Sequence, residues 1–539
     1  MEYIFESSYK AKVSDVPNEL IFDYVYKRLC AAGMEKSTKP WVIDASTGVE
    51  VKFCDIEPQS RKIASALTRL GFTKGDKLHF GTFETAQLYL VQLAVWRLGG
   101  TVRGCFQNES TDEFVRQISE TKARFILGDD ETLPTFKKVI PKLDWPAQLI
   151  VFSKQDIDDA VSVDKLLQDD GSAFPENVNL DPDDSILIVN TSGSTGLPKG
   201  VVHTHKSVIA CLFIKKTVNF FENAVMTPMS NYAHAVYIAT LGSIANASQV
   251  IHLGKFEREN YFDNLMKYKP ASVVMYPFVA TWFARHEKLD TLDLSFLKTI
   301  MGGGAIIDPT TIEILAKKLP GVRLKQMYGM SEASFVANTE DVPNIIIAQN
   351  EGEQWVSTGK LTPGVRAKIV DINTGESLGP GKKGEIKIQS IMLMKGYLSK
   401  DSPTPIRPNI DKDGWLSTGD AGFFDEDGHI FITERLSFVF KYLMYFVSPS
   451  EIESVLQKHE RVFEVGVVGV PHPESTCLAR AFVVRKGDVT EKELCDLVAS
   501  RLPTYKHLHG GVRFVDSLPV SKGGKLDRAA LKQIAIDMN

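Results

Sequence analysis

In the first half of the chain, segments with the hydrophobic spacing of amphipathic helices alternate with short apolar runs. The apolar positions within 63–70 share one face of a predicted helix, for which Ser60 is the expected cap and Gly71 the expected end. Residues 77–80 predict a strand, and residues 88–98 predict a second helix. Such alternation is typical of parallel sheets with helices packed on them, so the pattern predicts an α/β fold.

The pattern changes near residue 433, after a region of short predicted strands separated by turns. Residues 451–456 predict a helix, and residues 465–468 and 481–484 predict strands. Thr490 and Glu493 have the spacing of a capping box at the start of a further helix. Together these elements predict a compact α+β unit of a size that is ordinary for a small domain.

The length and composition of the chain limit its class. A chain of 539 residues exceeds what one hydrophobic core usually organises, so we expect two domains, 1–433 and 434–539. The hydrophobic fraction of 43% and the charged fraction of 24% are ordinary for a globular protein. A net charge of −5 argues against a general nucleic-acid binder. The sequence contains no uninterrupted apolar run of membrane-spanning length.

The cysteines and the two ends of the sequence bear on the cellular compartment. The six cysteines are scattered without a Cys-x-x-Cys pair, which favours a reducing compartment over a zinc site or a disulfide framework. Residues 1–6 lack the basic start and apolar core of a secretion signal. Residues 536–539 differ from a peroxisomal address of the Ser-Lys-Leu type. We therefore expect a cytoplasmic protein.

The segment 190–200 combines hydroxyls, glycines and one lysine directly after the apolar run 186–189. Gly193 and Gly196 permit a sharp turn that brings backbone N–H groups close to an anion. Hydroxyl donors and a positive charge come from Ser192, Ser194, Thr195 and Lys199. Because no Gly-Lys-Ser/Thr closes the segment, it is not a P-loop. The composition predicts a loop that binds the phosphates of a nucleotide without the P-loop arrangement.

The ordered residues Ser-Gly-Ser-Thr-Gly-Leu-Pro-Lys-Gly at 192–200 resemble the phosphate loop of the adenylate-forming superfamily. That superfamily includes acyl-CoA synthetases, 4-coumarate–CoA ligases, beetle luciferases and the adenylation domains of peptide synthetases. Further superfamily motifs are matched, in order, at 328–332 (Tyr-Gly-Met-Ser-Glu), 418–420 (Thr-Gly-Asp) and 524–527 (Gly-Lys-Leu-Asp). The resemblance implies a large N-terminal domain of two αβ-layered sheets plus a small distorted β-barrel, followed by a small mobile α+β C-terminal lid.

The resemblance also implies a role for each motif. Tyr328 would stack on adenine, and Glu332 would help to hold Mg²⁺, a cation that prefers carboxylate and phosphate oxygens. Asp420 would accept hydrogen bonds from the ribose hydroxyls, and Arg435 would lie near ribose and phosphate. Lys525 would bind the carboxylate and the α-phosphate oxygens and stabilise the charge that develops in the transfer. The implied nucleotide-binding residues are Thr191, Ser192, Gly193, Ser194, Thr195, Gly196, Gly303, Gly304, Ala305, Tyr328, Gly329, Ser331, Asp420 and Arg435.

Three positions depart from the family pattern. Where relatives carry Lys-Tyr-Lys-Gly on the entry path of the thiol, residues 441–444 keep Lys441 but replace the glycine with Met444. A side chain there could obstruct a pantetheine arm or force a different backbone angle. His234 follows a short insertion relative to the histidine that contacts the acyl or aryl group in relatives, and both a contact and a structural role stay open. Glu434 stands in place of the aspartate at the interdomain hinge of relatives.

The activity that the resemblance implies is activation of a fatty or aromatic carboxylic acid to acyl-AMP with ATP and Mg²⁺, followed by transfer to CoA. The residues expected to take part in catalysis are Lys525, Lys199, Glu332, Lys441 and His234. Two alternatives stay open, a luciferase-type monooxygenase that oxidises an adenylated luciferin and an adenylate-binding protein that has lost thioester activity. The departure at Leu443 and Met444 bears on the thiol step and does not directly affect adenylation.

Overall fold

The computed structural model describes residues 2–7, 13–107, 109–191, 199–217, 224–227, 234–254, 257–339, 345–350, 353–399, 402, 404–521 and 525–538. Its helices are α1 (Ile21–Ala31), α2 (Ile56–Arg69), α3 (Ala86–Arg97), α4 (Thr111–Thr121), α5 (Leu133–Val139), α6 (Val163–Leu167), α7 (His205–Thr217), α8 (His234–Ala245), α9 (Arg258–Tyr268), α10 (Pro277–Arg285), α11 (Pro309–Lys318), α12 (Pro449–Leu456), α13 (Glu491–Arg501) and α14 (Arg528–Asp537). Within these described ranges, every helix falls short of the length and apolarity that crossing a membrane requires.

The strands are distributed along the described chain, from Phe5 to Phe514. They are β1 (Phe5–Glu6), β2 (Pro40–Asp44), β3 (Glu50–Lys52), β4 (Lys77–Phe80), β5 (Thr101–Gly104), β6 (Phe125–Asp129), β7 (Gln148–Phe152), β8 (Ala160–Ser162), β9 (Ser185–Asn190), β10 (Gly200–Thr204), β11 (Ala224–Thr227), β12 (Gln249–His252), β13 (Ser272–Met275), β14 (Thr299–Gly302), β15 (Arg323–Met330), β16 (Ser334–Asn338), β17 (Ile347–Asn350), β18 (Glu353–Val356), β19 (Lys360–Leu361), β20 (Val365–Val370), β21 (Ser377–Leu378), β22 (Gly384–Ser390), β23 (Gly396–Tyr397), β24 (Leu416–Phe424), β25 (Ile430–Arg435), β26 (Phe440–Tyr442), β27 (Tyr445–Val447), β28 (Val462–His472), β29 (Thr476–Arg485) and β30 (Val512–Phe514).

Two large sheets form the body of the chain. The first has the strand order β23-β10-β9-β5-β4-β6-β7-β8, and the second has the order β19-β16-β15-β14-β13-β11-β12-β2-β3. The strands from β9 to β8 and from β15 to β2 pair in parallel, as the alternating pattern predicts. Buried helices join the layers: the Trp96 indole of α3 donates to the Ile186 carbonyl at 2.7 Å, and the Trp41 indole donates to Ser243 Oγ of α8 at 2.8 Å.

The predicted strand at 77–80 and helix at 88–98 are confirmed as β4 and α3. The helix predicted around 63–70 is also present, as α2, but the prediction of Ser60 as its cap is wrong. The helix begins at Ile56, and the Ser60 hydroxyl donates inside it to the Glu57 carbonyl at 3.1 Å. Pro58 explains the earlier start, because its fixed φ and missing N–H suit the first turn of a helix.

Two smaller units complete the fold. An antiparallel sheet of order β1-β20-β22-β24-β25, with β21 beside β20, occupies the region that the resemblance predicts as a barrel. The segment from β26 to α14, which we call the lid, has a sheet of order β27-β26-β29-β28 with β30 beside β29. The lid buries a separate apolar cluster that includes Ile452, Val483 and Leu494. Its capping box is confirmed, since Glu493 N donates to Thr490 Oγ1 at 3.2 Å and Thr490 N donates to Glu493 Oε2 at 2.8 Å.

Gly359 allows a close approach of two backbones that no other residue would permit. Its φ is +84°, and a Cβ at this position would lie 1.8 Å from the Asn338 carbonyl oxygen of β16. Gly375 has a similar φ of +76°, but no described atom lies within 4 Å of its Cβ position. We expect Gly375→Ala to cost about 1 kcal/mol of unfolding free energy and Gly359→Ala about 3 kcal/mol or more. Urea titrations of both variants measure the difference, and equal midpoints would contradict the steric account.

Candidate active site

Three residues from three strands form a hydrogen-bonded cluster, in which Tyr328 and Asp420 are buried and Arg435 is half-buried. Tyr328 of β15 donates its hydroxyl to Asp420 Oδ2 at 2.7 Å, and Arg435 Nη1 donates to Asp420 Oδ1 at 2.5 Å. Asp420 and Arg435 are cross-strand neighbours on β24 and β25, so the antiparallel register fixes the ion pair. Burial and the adjacent Asp420 carboxylate raise the pKa of Tyr328, which keeps the phenol a donor. Burial would lower the pKa of Arg435, but the Asp420 charge raises it, so the guanidinium stays cationic.

The lid delivers Lys525 to this cluster. Lys525 Cε lies 3.2 Å from the position that a Cβ on Gly304 would occupy, and the Tyr276 ring lies 3.4 Å from the same point. Burial and the positive charge of Arg435 lower the pKa of Lys525, whereas the Asp420 carboxylate opposes the shift. Lys525 therefore lies against Gly304 and Tyr276, close enough to Asp420 and Arg435 for their charges to act on it.

The predicted glycines play different structural parts. Gly304 has a φ of +84° and leaves the groove in which the Lys525 side chain lies. The Cβ position of Gly303 is 3.8 Å from Met327 Cε, so a side chain there would make an ordinary contact with β15, and Ala305 is exposed. A Cβ on Gly329 would lie 2.2 Å from the Ser334 carbonyl oxygen, so the contact of β15 with β16 by itself requires a glycine here.

Glu332 and Lys199 meet at a residue that the sequence reasoning missed. Tyr397 of β23 donates its hydroxyl to Glu332 Oε1 at 2.8 Å, and Lys199 Nζ lies 5.4 Å from the centre of the same ring. Thr191 N donates to the Lys199 carbonyl at 2.9 Å, and Lys199 N donates to Thr191 Oγ1 at 3.3 Å. The predicted loop residues Ser192, Gly193, Ser194, Thr195 and Gly196 lie outside the described residues.

The oriented carboxylate of Glu332 fits the divalent cation that the sequence predicts. Its Oε1 accepts the Tyr397 hydrogen bond, which restrains the carboxylate. Tyr397 also contacts Lys199, at the base of the predicted phosphate-binding segment 190–200, which we call the phosphate-type loop. Carboxylate oxygen is the ligand type that Mg²⁺ prefers, and phosphate oxygens supply further ligands in nucleotide sites. Glu332 would therefore hold the ion.

His234 and Ser331 are connected through a second residue that sequence reasoning missed. The ring of His234, at the start of α8, stacks on the ring of His203 with centroids 4.2 Å apart. His203 Nε2 lies 2.7 Å from the Ser331 carbonyl oxygen. The structure thus places His234 one ring away from the Tyr-Gly-x-Ser-Glu motif. In the sequence, His203 was marked only by its place directly after the apolar pair Val201 and Val202 of β10.

Lys441 is not part of this cluster in the present arrangement. It is exposed on the lid hairpin β26–β27, opposite Phe446, and the turn of that hairpin consists of Leu443 and Met444. Leu443 adopts a φ of +53° and Met444 is 80% exposed. Of the two residues in the turn, Leu443 therefore takes the left-handed conformation. Met444, which replaces the family glycine, projects its side chain into solvent.

Glu434 connects the body of the chain to the lid. Its Oε2 accepts hydrogen bonds at 3.0 Å from Ser448 Oγ and from the Ser450 backbone N–H, at the start of α12, and it also accepts a bond from the Ser450 hydroxyl. Its Oε1 accepts the Arg435 N–H at 2.9 Å. The longer glutamate thus reaches the first turn of a lid helix, whose free N–H groups favour a carboxylate.

Comparison with known proteins agrees with this arrangement. The chain matches the model of the AMP-binding enzyme over residues 31–398 and that of the AMP-binding enzyme C-terminal domain over residues 451–525. It is 32% identical to luciferin 4-monooxygenase from Nipponoluciola cruciata, over 91% of this chain and 90% of the relative. It is 29% identical to peroxisomal OPC-8:0-CoA ligase 1 from Arabidopsis thaliana, over 92% of this chain and 90% of the relative.

A solved structure shows the same fold. ATP-bound MatB from Rhodopseudomonas palustris superposes with a TM-score of 0.83 at 21% identity, over 97% of this chain and all of that one. Its type of architecture, a large N-terminal domain with a small C-terminal domain, confirms the predicted fold class. The chain belongs to the AMP-binding enzyme family, that is, to the adenylate-forming superfamily that its motifs resemble.

The buried His203 predicts a specific dependence of stability on pH. Burial lowers the pKa of His203 from 6.5 to about 4, so between these pH values the unfolded chain binds a proton that the folded chain does not. Stability due to this site is complete above pH 6.5 and decreases as the pH falls toward 4. When the pH is lowered from 7 to 5, we expect the unfolding free energy of His203→Gln to decrease by about 2 kcal/mol less than that of the parent protein. Urea unfolding at both pH values measures this, and parallel losses would contradict it.

Proposed function

We propose that this protein activates a carboxylic acid with ATP, forming acyl-AMP and pyrophosphate, and then transfers the acyl group to CoA. The observation that carries the proposal is the position of Lys525, which the lid places against Gly304 next to Asp420 and Arg435. A cationic residue beside a ribose-binding carboxylate is suited to a nucleotide whose α-phosphate is under attack. The CoA ligases among the relatives support the second step.

Adenylation requires alignment and neutralisation of charge more than covalent participation by the protein. Lys525 would bind the carboxylate of the acid and an α-phosphate oxygen at once, reducing their repulsion and stabilising the negative charge of the transition state. Burial and Arg435 lower the pKa of Lys525, and bound anions would oppose that shift. Arg435 holds Asp420 as a charged acceptor for the ribose hydroxyls.

The leaving phosphates would be bound at the other side of the site. Lys199 lies over the Tyr397 ring, so its ammonium is held at the base of the phosphate-type loop. Glu332 is oriented by the hydroxyl of the same tyrosine. Mg²⁺, when bound, supplies charge neutralisation to the pyrophosphate group. Tyr397 therefore sets the positions of a cationic residue and a metal-binding residue together.

The acid substrate is proposed to be fatty or aromatic, with His234 at its site. His203 keeps the ring of His234 in place by stacking and is itself anchored on Ser331. Burial lowers the pKa of His203 to about 4, so this anchor is neutral at pH 7. The flat ring of His234 offers an apolar acyl or aryl group a stacking surface.

Replacement of Lys525 tests the first half-reaction. We expect Lys525→Ala to reduce acid-dependent pyrophosphate release by about 10²-fold or more while ATP binding is retained, because the cation acts mainly in the transition state. Lys532→Ala is the matched control, since Lys532 is an exposed lysine of the same lid. Pyrophosphate release is measured over a panel of fatty and aromatic acids. An unchanged rate in Lys525→Ala would refute its role, and the absence of acid dependence in the parent protein would refute the proposed function.

Replacement of Met444 tests the thiol step. We expect Met444→Gly to increase CoA-dependent AMP release several-fold, because it removes the exposed side chain at the hairpin tip that would obstruct the thiol substrate. Pyrophosphate release in the absence of CoA should stay at the parental rate, which separates the two half-reactions. If CoA-dependent release is equal in the two proteins, the hairpin tip does not limit thioester formation.

A second candidate is oxidation of the bound adenylate by O₂, as in a luciferase. It is favoured by the 32% identity to luciferin 4-monooxygenase and by the Leu443–Met444 tip, which lacks the glycine of relatives that use CoA. Mixing the protein with ATP, Mg²⁺ and candidate luciferins distinguishes the two. Light emission without CoA dependence supports oxidation, whereas CoA-dependent release of AMP in the dark supports the ligase.

A further inference from the structure

Arg103 is a buried charge outside the groups assigned above. It lies on β5, beside Ile188 of the parallel strand β9, and only 1% of the residue is exposed. Its Nη2 donates to Glu120 Oε2 of α4 at 2.9 Å, and its Nη1 donates to the Gln117 carbonyl at 2.8 Å. Burial lowers the pKa of Arg103, and the Glu120 carboxylate opposes that shift.

The same guanidinium holds the amide of Asn190. Arg103 Nε and Nη2 donate to Asn190 Oδ1 at 3.2 and 2.9 Å. Asn190 Nδ2 in turn donates to the Gly104 carbonyl at 3.1 Å and to Gln117 Oε1 at 2.7 Å. The oxygen of the amide thus accepts two hydrogen bonds and its nitrogen donates two, so the side chain has one orientation.

Asn190 is the last residue of β9, at the base of the phosphate-type loop. It pairs with Gly200 of β10, and the next pair along is closed by the two hydrogen bonds between Thr191 and Lys199. A series of contacts therefore runs from the buried Arg103 charge through hydrogen bonds to the Asn190 side chain, along the backbone to Thr191, and through hydrogen bonds to the backbone of Lys199. Lys199 Nζ, at the end of this series, lies over Tyr397.

We propose that Arg103 is a positioning residue for ATP, which acts through Asn190 to fix the base from which Thr191 and Lys199 meet the triphosphate. The inference rests on the proposed function, since it requires that Lys199 binds phosphate. A buried ion pair by itself contributes little net stability relative to apolar residues, whereas a forked arginine specifies geometry. The two hydrogen bonds from Arg103 Nε and Nη2 to Asn190 Oδ1 form the fork that such a geometric role requires.

The test compares Arg103 with a second buried arginine of the same domain. Arg97 pairs with Glu57 Oε1 at 3.0 Å and with Ser60 Oγ at 2.8 Å, and its side chain is 9% exposed, but these contacts do not involve the loop base. The dissociation constant for Mg·ATP is measured calorimetrically for the parent protein and for the variants Arg103→Met, Arg103→Lys, Asn190→Ala and Arg97→Met. Melting temperatures are measured in parallel, together with KM for ATP and for the acid.

We expect Arg103→Met and Asn190→Ala each to weaken Mg·ATP binding by about tenfold. This is the effect of one hydrogen bond to a charged ligand, which a displaced Lys199 would lose. A double variant that combines Arg103→Met with Asn190→Ala should bind Mg·ATP no more weakly than the single variant of lower affinity, because both substitutions break the same series of contacts. Arg103→Lys should recover part of the affinity, and KM should increase for ATP but not for the acid. Arg97→Met should lower the melting temperature with Mg·ATP affinity retained.

Each alternative result has a distinct meaning. Folded Arg103→Met that binds Mg·ATP within about twofold of the parent protein overturns the inference and leaves the proposed function intact. If Arg103→Met does not fold, Asn190→Ala decides, because it keeps the Arg103–Glu120 pair, and parental affinity in that variant overturns the inference. Equal weakening by Arg97→Met also overturns it, since the effect would then be a general loss of packing. A parent protein that binds no Mg·ATP overturns both proposals.

Discussion

The carboxylate of Asp420 is the point on which the described site depends. It accepts one hydrogen bond from Tyr328, which belongs to the second large sheet, and one from Arg435, which precedes the lid. The charges of Asp420 and Arg435 act in opposite directions on Lys525, which the lid supplies. A single buried anion thus links two sheets of the body and the lid. Removing an anion of this kind leaves buried cations uncompensated, which is more costly than never having buried the pair.

Sequence reasoning identified what is encoded locally. The strand β4, the helix α3 and the capping box of α13 follow from hydrophobic spacing and from capping chemistry, both of which act over a few residues. The wrong prediction at Ser60 is also local: a serine is a common helix cap, but the proline two residues earlier allows the helix to begin before it. Motif order located Tyr328, Asp420 and Lys525; the structure joins the first two by a hydrogen bond and places Lys525 where the charge of Asp420 acts on it.

What sequence reasoning missed depends on pairing between distant segments. Tyr397 acts on Glu332 and Lys199 because β23 pairs with β10, so that Tyr397 lies opposite Val201 across almost two hundred positions of sequence. His203 becomes an anchor only when β10 and α8 are packed together. Periodicity marks both residues as parts of strands and carries no information on their partners. Gly329 shows the reverse case. It belongs to a motif, but its backbone contact with Ser334 alone explains why a glycine is required there.

The hydrogen bonds of Glu434 have a consequence for the position of the lid. Any rotation of the lid about this residue has to exchange the bonds from Ser448 and Ser450 for bonds to water. Hydrogen bonds to a charged group are worth about 1.5–3 kcal/mol each, several times the thermal energy. Glu434 therefore stabilises this arrangement of the lid, because a rotation about it would first have to break the bonds from Ser448 and Ser450.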